Sequence, residues 1–175
     1  MTIRSFISTM FMASAFATVS AQYPGWQQAI DYTMDVTLDT ALHQYQGQMT
    51  AKLKNNSPDE LDRAFFHLFF NAFQPESMMD VRSRTISDPD SRVGSRIVEL
   101  PEDEWGWIKV ESLMVDGKTV EFKHDGTILE VQLNAPIRAG KRATFVMTWS
   151  AQVTRQIRRS GWMNKEGIEY SMTQW

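Results

Sequence analysis

Strict alternation of apolar and polar side chains opens the legible part of the chain: Ile30, Tyr32, Met34, Val36 and Leu38 share one side, and Asp31, Thr33, Asp35, Thr37 and Asp39 share the other. Successive side chains of a strand point to opposite faces, so this period of two predicts a half-buried β-strand. The pattern returns with Tyr45, Gly47, Met49, Ala51 and Leu53, and Asn55-Asn56-Ser57-Pro58 then turns the chain, so a long hairpin is predicted. Ala64 to Phe70 is nearly continuous in apolar residues, interrupted only by His67, which predicts a strand covered on both faces. Asp116-Gly117 and Asp125-Gly126 are tight-turn signals, because glycine takes positive φ without steric cost. Leu129, Val131 and Leu133 alternate, as do Ala143, Phe145, Met147, Trp149, Ala151 and Val153, with Pro136 and Gly140 marking the turn between them. No segment carries a long helical period, so the fold class expected is all-β: a sandwich-like domain of two packed sheets and mostly antiparallel strands. Asn71 to Trp107 is the segment whose pattern predicts least.

The last eight residues alternate again, with Ile168, Tyr170, Met172 and Gln174 on one side. They predict a strand that places an amide on its apolar face at the edge of a site, in a domain continued by another. At the other end, Met1 to Ala21 has the layout of a secretory leader. Arg4 is its positive start, Phe6 to Val19 is apolar and uncharged, and Val19-Ser20-Ala21 offers small residues for cleavage after Ala21. The apolar stretch is shorter than the roughly 20 residues that cross a bilayer. An exported protein, periplasmic or extracellular, without a stable membrane span is therefore expected, with residues 22–175 as one domain.

Removing the leader, whose one charge is Arg4, takes the net charge from −3 to −4. That bias is small, and the basic residues are scattered among acids, which argues against a nucleic-acid partner. The chain has no cysteine, which excludes a disulfide framework, a lipid-bearing cysteine and a thiol nucleophile. A hydrolytic zinc helix needs two histidines one turn apart with glutamate after the first. His43, His67 and His124 are far apart and are followed by Gln44, Leu68 and Asp125, so no catalytic residue and no metal ligand is assigned within the chain. His67 is expected as a hydrogen-bonded core or interface side chain, and His43 and His124 in turns. Glu102-Asp103-Glu104 reads as a solvated loop, Asp88-Pro89-Asp90 as a turn, and Met78 and Met79 as gap-filling apolar residues. Arg155, Arg158 and Arg159 form the one basic concentration, expected as a charged loop against another domain. Trp105 and Trp107 are expected in the core or an interface, the alternative being sugar contacts of a stand-alone exported β-sandwich that binds glycans or a protein partner.

Taken together, the strand Ile30 to Leu38, the opening Tyr45-Gln46-Gly47 of the second strand, Phe66-His67-Leu68 with Asn71-Ala72-Phe73, and the closing Tyr170-Ser171-Met172-Thr173-Gln174-Trp175 resemble the N-terminal domain of gluzincin zinc aminopeptidases. These are the metallopeptidases related to membrane alanyl aminopeptidase, and the chain is most similar to exported bacterial members. The resemblance covers essentially all of 22–175. It implies a saddle-shaped β-domain that packs on a separate catalytic domain, which is absent here and would carry His-Glu-x-x-His, a later glutamate as third zinc ligand, and Gly-x-Met-Glu-Asn. None of these motifs occurs in this chain. Gly161-Trp162-Met163-Asn164 lacks the glutamate and reads as a turn entering the last strand. The resemblance therefore implies zinc in the parent enzyme only, and a fragment inactive by itself. It also implies a substrate-binding role for Gln174, whose carbonyl oxygen would accept a hydrogen bond from the free amino terminus of a peptide. The alternative is a strand-end glutamine facing water or the neighbouring domain.

Overall fold

A computed structural model describes residues 25–86 and 90–172. It contains β1 (Ala29–Asp39), β2 (Gln44–Lys54), β3 (Leu61–His67), a 3-10 turn at Phe69–Phe73, α1 (Met78–Thr85), a second 3-10 turn at Glu102–Glu104, β4 (Trp107–Val115), β5 (Lys118–Thr119), β6 (Phe122–Asp125), β7 (Ile128–Ile137), β8 (Arg142–Gln152), β9 (Gly161–Trp162) and β10 (Tyr170–Ser171). A five-stranded sheet runs in the order β1-β2-β8-β4-β5, a three-stranded sheet in the order β3-β7-β6, and β9 and β10 make a small ribbon. Every pairing between these strands is antiparallel, and an isolated parallel bridge joins Arg155 to Trp162 of β9. The all-β, sandwich-like class predicted from the alternation is the one observed.

Antiparallel neighbours present directly opposed residues to the same face. The register therefore lays apolar rows across the large sheet: Met34 on β1 opposes Met49, which opposes Met147, which opposes Leu113 on β4. Leu38, Tyr45, Ala151 and Ile108 form another such row. The small sheet covers this face, with the Phe66 ring edge-on to Phe145 at 5.5 Å. Gly47 lies in the middle of β2 because the Trp149 indole lies across it. A Cβ there would stand 2.1 Å from an indole carbon.

The cover stops short of the sheet's edge. Every residue of β1 is exposed, including its apolar row, where Tyr32 is 54% accessible and Ile30, Met34, Val36 and Leu38 are 37–40%. The expectation of a half-buried strand is thus corrected: period two identifies an apolar face, but the small sheet does not reach over it. A groove of about 330 Å³ opens beside this strand, between Tyr32 and Met34 on one side and Phe65, Phe69, Ile108 and Trp149 on the others.

The apolar run at 64–70 is corrected too. Its strand ends at His67, and Phe69 and Phe70 belong to the 3-10 turn that drops Phe70 and Phe73 into the core. Phe65 is 62% exposed, so β3 is covered on one face only. His67 is exposed and stacks on Phe69 at 5.0 Å, so of the two places expected for it, core or interface, it does not take the core. Both Asp-Gly turns are present: Asp116 and Gly117 take φ of 50° and 77° between β4 and β5, and Gly126 takes 55° between β6 and β7. Pro136 lies inside β7, leaving Gly140 as the turn residue. The weakly patterned segment folds as α1, capped by the Ser77 hydroxyl, which accepts the Asp80 N–H at 3.2 Å. The buried Asp80 carboxylate accepts from the Glu76 N–H and from Arg84. Met79 packs on the core while Met78 is 86% exposed.

His124 lies on β6 and not in a turn. The β4–β8 register slips between Val110 and Ser112, and a bulge of this kind takes a backbone group out of the ladder. The Val110 N–H donates to His124 Nε2 at 3.1 Å, joining the two sheets. Burial, and then Lys109, hold the His124 pKa below its ordinary value. A histidine with a lowered folded-state pKa stabilises the fold above the unfolded-state value of about 6.5, and that contribution is lost as pH falls through it toward the folded-state value. Urea unfolding from pH 7.5 to 5.5 is therefore expected to show a falling midpoint. In His124→Gln, where an uncharged acceptor replaces the imidazole, that part of the slope disappears. An identical slope in both proteins would contradict the assignment.

Candidate functional site

The chain's last described strand is held at a corner built from three distant segments. After β8, the Val153 N–H donates to the His43 carbonyl at 2.8 Å, tying the exit of β8 to the bend between β1 and β2. The buried Thr154 then turns the chain, with its hydroxyl bonded to the Arg155 carbonyl at 2.9 Å. The Gln156 N–H donates to Trp162 O and the Trp162 N–H to Thr154 O, both at 3.0 Å, so β9 is laid back against the 154–156 segment. Gly161 permits this approach at φ 130°, since a Cβ there would stand 2.5 Å from the Gln156 Cα and 2.7 Å from the Thr154 carbonyl oxygen.

The corner's side chains interlock. The His43 imidazole stacks on the Trp162 indole with centroids 3.9 Å apart and planes 5° from parallel. The Arg155 guanidinium lies 5.6 Å from the same indole and is paired with Glu104 at 2.7 Å. Trp162 opposes Tyr170 in the β9–β10 register. The Tyr170 hydroxyl stands 2.6 Å from His43 Nδ1 and 3.2 Å from the Thr40 carbonyl. Burial, and then the charges of Glu169 and Asp39, raise the Tyr170 pKa, so its phenol keeps its proton. The Ser171 hydroxyl donates to the Arg159 carbonyl at 2.7 Å, and Met172 packs on the core. Between the 40–43 bend and the 163–169 turn is a pocket of about 460 Å³ reached by His43, Trp162, Asn164, Glu169 and Tyr170. The arrangement is suited to holding a strand in place and contains no activated nucleophile.

The strand expected over the last eight residues is paired only at Tyr170–Ser171. Gly161–Trp162 is itself strand β9, and the turn entering β10 follows it at 163–169, where the Met163 N–H donates to the Glu169 carbonyl at 3.0 Å. Thr173, Gln174 and Trp175 lie outside the described residues, as does the leader at 1–21. Asp88 and Pro89 also lie outside them, while Asp90 pairs with Arg92 at 2.7 Å and Arg158 at 3.1 Å. The basic cluster is thus engaged within the domain through Arg155 and Arg158. Glu102–Glu104 is a 3-10 turn in which Glu104 is half-buried beside Arg155. Trp105 and Trp107 are both half-buried, and the Trp105 indole N–H donates to the Leu100 carbonyl at 2.9 Å, which spends its polar group inside the fold. Among the described residues, no group of three His, Asp or Glu stands close enough together to hold a metal ion. The contact of His43 with Tyr170 joins residues 127 apart in sequence, and the local pattern carries no sign of it.

No protein-family model matches the chain, and no curated protein matches it. Among solved structures it is similar to an M1 zinc metallopeptidase from Deinococcus radiodurans at 16% identity and a TM-score of 0.49, over 83% of this chain and 26% of that one. A substitution variant of that enzyme bound to a Tyr-Ser-Ala substrate is similar at 15% identity and a TM-score of 0.49, over 81% and 26%. A two-domain variant bound to L-arginine is similar at 16% and 0.48, over 81% and 26%. The chain spans about a quarter of the length of these solved chains.

Proposed function

We propose that this chain is the N-terminal, substrate-facing β-domain of an exported zinc metallo-aminopeptidase, periplasmic or extracellular, which removes residues from peptide N-termini. The residues of the sequence resemblance supply the family. The structural observation that carries the reading is the apolar row of β1, continuous with the core and left uncovered beside an open groove. An extended apolar face of this kind is the mark of an interface, and the occupant proposed is the catalytic domain.

A zinc ion held by that neighbouring domain would polarise the scissile carbonyl and activate a water molecule. This chain's own part is to wall the cleft and bind the substrate's amine. The Gln174 carbonyl oxygen accepts a hydrogen bond from the substrate ammonium while its NH2 donates to protein acceptors. An acetylated N-terminus has lost the charge and keeps a single N–H, so it offers the amide only an ordinary contact. The full-length protein is therefore expected to contain zinc and to hydrolyse free-amine aminoacyl substrates, while leaving their N-acetylated counterparts intact. Equal cleavage of both, or of neither by zinc-loaded protein, would contradict the proposal.

A further inference from the structure

We propose that β1 is a docking edge for an extended, basic segment of the adjoining domain, which adds to the large sheet as a further strand. The inference rests on the reading that a neighbouring domain covers the apolar row of β1, and names the contact by which it does so. β1 is the outermost strand of its sheet and, among the described residues, pairs with β2 alone. An antiparallel strand turns the N–H and C=O of alternate residues toward its neighbour and those of the residues between away from it. Half the backbone of Ala29–Asp39 therefore faces outward. Exposed edges are commonly blunted by shortness, by proline or lysine, or by a bulge. β1 has none of these: it runs for 11 residues, contains neither proline nor lysine, and keeps an unbroken register with β2 from Ala29–Lys54 to Asp39–Gln44. A strand added at such an edge is held by main-chain hydrogen bonds and chosen by its alternate side chains. On the apolar side it would extend the row of Leu113, Met147, Met49 and Met34 beyond the present border.

The polar side selects the occupant. Asp31, Asp35 and Asp39 recur every four residues along it, all exposed. Lys52 stands opposite Asp31 on β2, whereas Asp35 and Asp39 stand opposite Gln48 and Gln44. The Asp39 carboxylate accepts the N–H groups of Ala41 and Leu42 at 2.8 and 3.1 Å. Asp35, at the middle of the edge, has neither a cation across from it on β2 nor a turn to cap. A second copy of β1 is a poor match for this comb. Apolar side must lie with apolar side, so odd-numbered residues pair with odd-numbered ones. The spacing of four then sets each aspartate either opposite an aspartate or opposite a residue flanked by aspartates on the diagonals. Such neighbours are about 5 Å and about 7–8 Å apart, so like charges repel in every register. A lysine or arginine opposite Asp35 turns the same geometry into attraction. The edge thus admits a strand in which apolar residues alternate with Lys or Arg, and rejects its own copy.

The test is amide hydrogen exchange in the full-length protein, resolved to single residues over 30–39. An added strand protects consecutive amides along β1. A free edge leaves protection alternating, with the outward N–H groups exchanging almost as in an unfolded chain. Asp35→Asn and then Asp35→Lys are expected to quicken the outward amides, the second by about five- to tenfold, because a like-charged pair replaces an attractive one. The inward amides bonded to β2 are the internal control, and should change little at this exposed position. Alternating protection in the native protein, or an Asp35→Lys variant without effect, would overturn the inference. The mass in solution identifies the occupant. Consecutive protection in a monomer supports the adjoining domain, whereas protection found only in a dimer, or only with a co-purifying protein, assigns the edge to another chain and overturns it. Activity on a free-amine aminoacyl substrate separates the two proposals. Alternating protection in an active zinc enzyme removes the added strand alone. Consecutive protection in zinc-loaded protein that cleaves nothing removes the proposed function and leaves the added strand standing.

Discussion

Gly161→Ala is expected to destabilise the protein by about 2–6 kcal/mol, the sum of roughly 1–3 for a strained backbone and a similar amount for overlap. The residue sits at φ 130°, a region that side chains disfavour, and an added Cβ would approach the Gln156 Cα to 2.5 Å, its nitrogen to 2.6 Å and the Thr154 carbonyl oxygen to 2.7 Å. All three obstacles are backbone, so no change of rotamer relieves them. The strand must instead move away from the 154–156 segment, and both hydrogen bonds between Trp162 and that segment go with it. Trp162 then leaves His43, and the ribbon loses its mate for Tyr170. Gly167 is the control. It also has a positive φ, 79°, but an added Cβ there meets nothing within 4 Å. Gly167→Ala should cost only about 1–2 kcal/mol, the price of the left-handed conformation. Urea unfolding of the two variants separates the effects, and equal midpoints would mean that the close approach at Gly161 is not rigid.

The long strands were legible where period two is strict, while the alternating residues 168–172 pair only at Tyr170–Ser171. β2 and β8 were visible from their alternation, and the β4–β5 and β6–β7 turns from Asp-Gly, because both signals are written in adjacent residues. What covers a face is written elsewhere in the chain. β1 has the same alternation as β2, yet lies uncovered at the sheet's edge, since its burial depends on how far the small sheet extends. The phenylalanine run misled for a related reason: continuous apolar residues fit a doubly covered strand, and equally fit a strand that becomes a 3-10 turn at Phe69. His124 lies on a strand and not in the expected turn, and His67, expected in the core or an interface, lies exposed, because a histidine's partner is a matter of tertiary structure. The Val110 N–H freed at a bulge claims one, and the Phe69 ring stacks on the other. At the site, the alternation of the last residues put Tyr170 on the side of Met172. The grip of His43 on Tyr170 spans 127 residues and belongs to the fold alone.

The second large effect concerns chemistry. A hydrogen bond to a charged group contributes about 1.5–3 kcal/mol, which corresponds to about 10- to 100-fold in binding or rate. If Gln174 accepts from the substrate ammonium, Gln174→Ala gives up that amount, and the loss falls on substrates with a free amine. The charge is the reason: a neutral N-terminus offers the amide an ordinary contact worth about 1 kcal/mol or less. The decisive measurement is kcat/KM of the full-length protein and its Gln174→Ala variant on a free-amine aminoacyl substrate, at equal zinc content. The account predicts a fall of about 10- to 100-fold. Values within twofold of each other would show that this domain's last residues do not hold the peptide amine, and would contradict it.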